Sequence, residues 1–70
     1  MNAELRDKLN EHIKAITSNT VDIDDIPDSA EWDYVVHSIE TSIGNGLSVE
    51  QAIIAQNITS RDIDWMILMD

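Results

Sequence analysis

Asp28-Ser29-Ala30-Glu31-Trp32-Asp33-Tyr34-Val35-Val36-His37-Ser38-Ile39-Glu40-Thr41-Ser42-Ile43-Gly44 is the stretch that decides the fold. Trp32, Val35, Val36, Ile39 and Ile43 fall within about 100° of arc when wound at 3.6 residues per turn, which is what one buried helical face requires. Asp28 is a suitable N-cap, and Glu31 three residues later completes a capping-box pattern with Asp in place of Ser or Thr. Pro27 just before it disfavours helix at Ile26. Gly44 supplies a left-handed C-cap and Asn45-Gly46 continues the turn. The outer face carries Asp33, His37 and Glu40.

The chain on the amino-terminal side reads as a second helix, from about Ala3 to Ser18. Asn2 can cap it, and Leu5, Leu9, Ile13 and Ile16 recur along one stripe. His12 falls at the edge of that stripe, where a histidine packs more often than it ligates. Between the two helices, Val21, Ile23 and Ile26 punctuate Asp22, Asp24, Asp25 and Asp28. That pattern predicts an extended connector pinning apolar side chains onto the helices, since a lone strand here has nothing to pair with.

On the carboxyl side, Ser48 and Gln51 form a capping box for a short helix running to about Gln56, with Val49, Ala52 and Ile53 on one face. Asn57 takes the left-handed conformation that closes it. Thr59 or Ser60 then caps a last helix whose inner face is Ile63, Met66 and Ile67. The expected architecture is all-α, a small bundle of about four short helices, with residues 1–70 forming a single acidic helical domain.

The last third, Ala52 to Ile63, is similar in outline to the helix-turn-helix unit of many repressors. Asn57 stands where the turn usually has Gly, Ile58 and Ile63 stand at apolar positions, and Ile53 departs from the usual small residue. The would-be recognition helix carries Asp62 and Asp64 beside a single Arg61. Reading bases in the major groove normally uses Arg, Lys, Asn or Gln with phosphate contacts behind them. The resemblance therefore implies the shape of the motif without its DNA-binding chemistry.

Charge bounds the function. The net charge is −10, from 14 carboxylates against four basic residues, Arg6, Lys8, Lys14 and Arg61, all near the two ends. Between Ala15 and Ser60 there are eight carboxylates and no Lys or Arg. Binding nucleic acid depends on cations that displace counterions from phosphates, so neither direct nucleic-acid binding nor docking on anionic lipid is expected. A basic protein is the complementary partner; the plain alternative is acidity kept for solubility. No signal-like or membrane-spanning apolar run is present, which predicts a cytoplasmic protein.

Asp22, Asp24, Asp25, Asp28, Asp33 and Glu40 can form one negative strip from the connector along the second helix. Carboxylates three or four residues apart on a helix sit about 5–6 Å apart, comparable to neighbouring phosphates on a strand. The strip would then dock in the basic groove of a DNA- or RNA-binding protein. Compact acidic inhibitors of this kind occur among phage and mobile-element proteins that block host defences. An EF-hand reading of the same residues fails: counted from Asp22, positions 5, 6 and 12 are Ile26, Pro27 and Asp33. No metal or cofactor is expected.

The carboxyl terminus offers a second surface. With Ile63, Met66 and Ile67 inward, Trp65, Leu68 and Met69 point away from the core and fit a partner or a homodimer interface. The alternative to the inhibitor is thus a helical adaptor or regulatory subunit assembling through this face. The chain lacks cysteine and any phosphate-binding loop, and His12 and His37 lie on different helices. Asp33 and His37, four residues apart, can pair on an exposed face, but that offers no cleft for an oriented base. No catalytic residue is expected.

Overall fold

Asn2 opens the first helix by accepting the Leu5 N–H on its side-chain oxygen at 2.8 Å, one of the otherwise unpaired donors of a helix start. The structure is a computed structural model and describes residues 1–68. It contains α1 (Ala3–Ile16), a single 3-10 turn (Ile23–Asp25), α2 (Ala30–Gly44), α3 (Val49–Ala55) and α4 (Ser60–Leu68). No strand is present among the described residues.

Leu5, Leu9 and Ile13 of α1 are buried as their spacing predicts, with Ile16 half-buried beside them. Thr17 ends the helix. Its hydroxyl donates to the Ile13 carbonyl at 2.7 Å and accepts the Val21 N–H at 3.3 Å, so a buried threonine ties the connector to the helix it leaves. Ser18 and Asn19 then both adopt left-handed backbone (φ 55° and 63°), reversing the chain.

The connector is a capped 3-10 turn where the sequence predicted an extended one. The Asp22 carboxylate accepts the Asp24 N–H at 3.0 Å, and the Asp25 carboxylate accepts the Asp22 N–H at 3.1 Å. Two aspartates three residues apart thus satisfy one turn of backbone reciprocally, which an extended segment without a partner strand does not allow. The Ile23 N–H donates to the Asn10 side chain on α1 at 2.9 Å, and Ile23 and Ile26 are buried.

Ser29 caps α2 in place of the expected Asp28, its hydroxyl accepting the Trp32 N–H at 3.1 Å. The helix starts one residue later, so the Asp28 carboxylate stays outside it. Trp32 and Ile39 are buried, while Val35, Val36 and Ile43 are half-buried against the same core. At the other end Gly44 is still helical and the left-handed residue is Gly46 (φ 106°). Gly46 N–H donates to the Ile43 carbonyl at 3.0 Å and Leu47 N–H to the Ser42 carbonyl at 3.2 Å, the paired closure that places left-handed backbone two residues past the last helical one.

The Ser48–Gln51 box forms on α3, with bonds of 3.0 and 3.1 Å. Asn57 is left-handed (φ 54°), and Thr59 and Asp62 form a matching reciprocal box at the start of α4. Ile63 and Met66 are buried, with Ile67 half-buried. Helix α3 packs on α2 and α1, while α4 lies against α1. The fully buried side chains Leu5, Leu9, Ile13, Ile39 and Ile63 come from three helices, making one shared core. No helix among the described residues is long and apolar enough to cross a membrane.

Candidate functional site

Two surfaces carry the side chains singled out by the sequence, and they lie on opposite flanks of α2. Residues seven apart on a helix return to the same flank after about two turns, whereas residues two apart lie nearly opposite. Asp33 and Glu40 therefore share one flank, and Glu31 with Tyr34 takes the other.

The first surface is acidic. Asp22, Asp24 and Asp25 sit on the 3-10 turn, which the Asn10 bond and two buried isoleucines fix to α1. Hydrogen bonds to backbone N–H groups hold the Asp22 and Asp25 carboxylates in place without neutralising them. Asp24 is different, because Arg6 reaches across from α1 and forms an ion pair with it. Asp24, Asp28 and Arg6 border a shallow cleft of about 330 Å³ with Met1 and Trp32. The Met1 amino group in turn stands 3.7 Å from the Glu40 carboxylate. Asp28 and Asp33 are exposed and make no ion pair or side-chain hydrogen bond among the described residues.

The Arg6 contact was invisible in the linear pattern, where the strip is free of interleaved cations. Arg6 lies 18 residues before Asp24, and only the fold of the connector back onto α1 joins them. Among the described residues no group of three or more His, Asp or Glu side chains is placed to hold a metal ion.

The second surface is an open apolar groove of about 370 Å³ between the first half of α2 and α4. Ala30, Val35, Ile58 and Met66 line it together with the rings of Tyr34 and Trp65, and Glu31, Gln56 and Asp62 are its polar lining residues. Tyr34 is 71% and Trp65 55% exposed, so both rings stand out into solvent. Asp62 is held by Thr59, whose N–H and hydroxyl both donate to one carboxylate oxygen, at 3.0 and 3.1 Å. Glu31 and Asp62 each occupy a first helical turn, where negative charge offsets the positive end of the helix dipole.

Trp65 thus falls on this groove, as an outward-facing residue of α4. Leu68 is 81% exposed further along the same helix. Met69, the third member of the predicted apolar face, lies outside the described residues. Tyr34 and Ile58 were missed by sequence reasoning. Tyr34 is an aromatic on the polar side of an amphipathic helix, and that irregularity is the signal that could have found it.

His12 is half-buried and borders a groove between α1 and α3 with Lys8, Glu11 and Glu50; His37 is exposed on α2. Asp33 and His37 form no ion pair or hydrogen bond among the described residues. Comparison with family models, curated proteins and solved structures finds no match to this chain.

Proposed function

We propose that this chain is an acidic protein-binding module, an inhibitor that occupies the basic groove of a nucleic-acid-handling protein. The observation that carries the reading is the hydrogen bonding that ties the acidic turn to itself and to α1. Asp22 and Asp25 lock each other's backbone, and the turn is bolted to α1 through Asn10, Ile23 and Ile26. Charges already held in place lose little freedom on binding, so more of their attraction survives as affinity. Asp28 and Asp33 extend the negative surface, and the late start of α2 leaves Asp28 unspent as a cap. Function in this reading comes from binding alone, with no catalytic group and no cofactor.

A second reading, a helical adaptor assembling through an apolar carboxyl-terminal face, is favoured by the exposure of Trp65 and Leu68. Salt separates the two. Electrostatic docking weakens steeply as the Debye length shrinks, whereas an apolar contact persists.

The test is capture from native-host lysate on the tagged protein, with nuclease present, at about 0.15 M and about 0.45 M salt. A nucleic-acid-binding protein retained at low salt, lost at high salt and lost to an Asp24→Lys/Asp28→Lys variant supports inhibition by the acidic surface. A partner retained through high salt by that variant and released by Trp65→Ala refutes it and supports the adaptor.

A further inference from the structure

We propose that the groove between α2 and α4 is a docking site for a basic amphipathic helix of a partner protein. The apolar face of that helix seats between Tyr34 and Trp65, and its Lys or Arg side chains pair with Glu31 and Asp62. The inference rests on the reading above only for its premise that the ligand is a basic protein; it uses the opposite flank of α2.

Charge complementarity selects the occupant. The groove is apolar inside, and both charged residues on its margin are carboxylates. Asp62 commits one oxygen to Thr59 and leaves the other without a partner among the described residues. A ligand that fits must therefore be apolar on one side and cationic beside it. An extended peptide usually gains its affinity by adding a strand to a sheet edge, and no strand exists among the described residues. Two helices with a cleft between them are instead the setting for a third helix anchored by apolar side chains at i, i+3, i+4 and i+7.

Other occupants fit less well. A second copy of the chain would bring another −10 of charge. If it paired groove to groove about a two-fold axis, Glu31 and Asp62 would face carboxylates across the contact. A small molecule is normally enclosed over most of its surface. Here the two aromatic walls project into solvent and leave one whole side open.

The experiment is a titration of the isotope-labelled full chain, followed by amide and indole resonances. The probe is a helical peptide of about 18 residues with leucines on one face and lysines on the other. Controls are a scrambled peptide of the same composition and a version with glutamate for lysine. Expected are shifts at Tyr34, Val35, Ile58 and the Trp65 indole with the amphipathic basic peptide, and none there with either control. Tyr34→Ala/Trp65→Ala weakens binding about tenfold or more. Glu31→Lys weakens it in a salt-dependent way. These positions are exposed, and circular dichroism checks that each variant folds. Asp24→Lys/Asp28→Lys changes affinity less than about threefold, because those charges lie on the other flank.

Equal binding of the scrambled peptide, with shifts at residues 22–28, overturns the groove and leaves the acidic-surface reading standing. Failure of every basic peptide to bind at low salt overturns both. Concentration-dependent shifts at Tyr34 and Trp65 without peptide would assign the groove to a second copy and overturn the proposal.

Discussion

The Lys8 ammonium on α1 donates to the Glu50 carboxylate in the first turn of α3, joining helices whose contacting residues are 42 positions apart. Their hydrogen bond, and then their mutual charge, raises the Lys8 pKa above its ordinary value. The same hydrogen bond, followed by Glu50's own backbone bond and the Lys8 charge, lowers the Glu50 pKa.

A lowered carboxylate pKa contributes stability that is complete above the ordinary value of 4.5 and is lost as pH falls through the lowered one. A raised amine pKa contributes stability that is complete below 10.5 and is lost as pH rises through the raised one. The pair therefore acts at constant strength across neutral pH, and its effect is small because both groups are exposed. Replacing Lys8 with Met should move the Glu50 pKa back towards its ordinary value, leaving the part owed to its backbone bond. Carboxyl-carbon resonances followed against pH measure this directly. An unchanged Glu50 titration would mean that the bridge does not form in solution.

Ile63 anchors α4, and with it the Trp65 wall of the groove, to the core. It is fully buried. Truncating such a residue to Ala costs about 2–5 kcal/mol. A domain of this length has a total stability of only about 4–10 kcal/mol. Ile63→Ala should therefore remove about half of that stability and lower the urea midpoint steeply, while Ile63→Val, at about 1 kcal/mol, lowers it only modestly. Leu68→Ala, at a site 81% exposed, should change stability by less than about 0.5 kcal/mol. Urea unfolding followed by circular dichroism ranks the three.

The four helices were legible because each is marked twice, by a 3.6-residue apolar stripe and by a cap. Leu5-Leu9-Ile13 under Asn2 and Ala52-Ile53 after Ser48 emerge where the pattern puts them. Errors fell at the ends, where adjacent residues compete for one role. Ser29 and Asp28 are both good caps, and Gly44 and Gly46 are both able to turn left-handed. Only the register of the packed Trp32 and the paired closure at Ser42 and Ile43 decide between them. Whatever depends on contacts between distant segments was not legible. Arg6 against Asp24, and Tyr34 and Trp65 lining one groove, follow from how the helices stack, which a single sequence does not state.

Asn57 holds the corner between α3 and α4 with φ at 54°. Left-handed backbone costs most residues about 1–2 kcal/mol, whereas Gly and, to a lesser degree, Asn adopt it readily. Asn57→Ala should destabilise by about 1 kcal/mol and Asn57→Gly should be close to neutral. The corner also positions Ile58 under the groove. A corner shifted by that strain in the Ala variant should thus weaken binding of the basic amphipathic peptide beyond what its global stability loss explains. Equal stability of the Ala and Gly variants would show that the corner relaxes without cost.

Arg6 is the sharpest probe of what the acidity is for. It is the cation that pairs with Asp24, and the pair is exposed, so it contributes little to stability. If the charge serves only to keep the chain soluble, Arg6→Gln changes nothing that a binding assay reads. If the negative surface is a docking element, the same substitution frees the Asp24 carboxylate and makes the chain one unit more negative than −10. Binding to a basic partner should then tighten about two- to threefold at low ionic strength, with the gain vanishing at about 0.45 M salt. Asp24→Asn in an Arg6→Gln background should reverse the gain. Calorimetry at two ionic strengths on a basic partner captured from lysate reads the change. A variant that binds no better at low salt would remove the Asp24 region from the docking surface. Only Asp28, Asp33 and Glu40 would then remain to carry the electrostatic role.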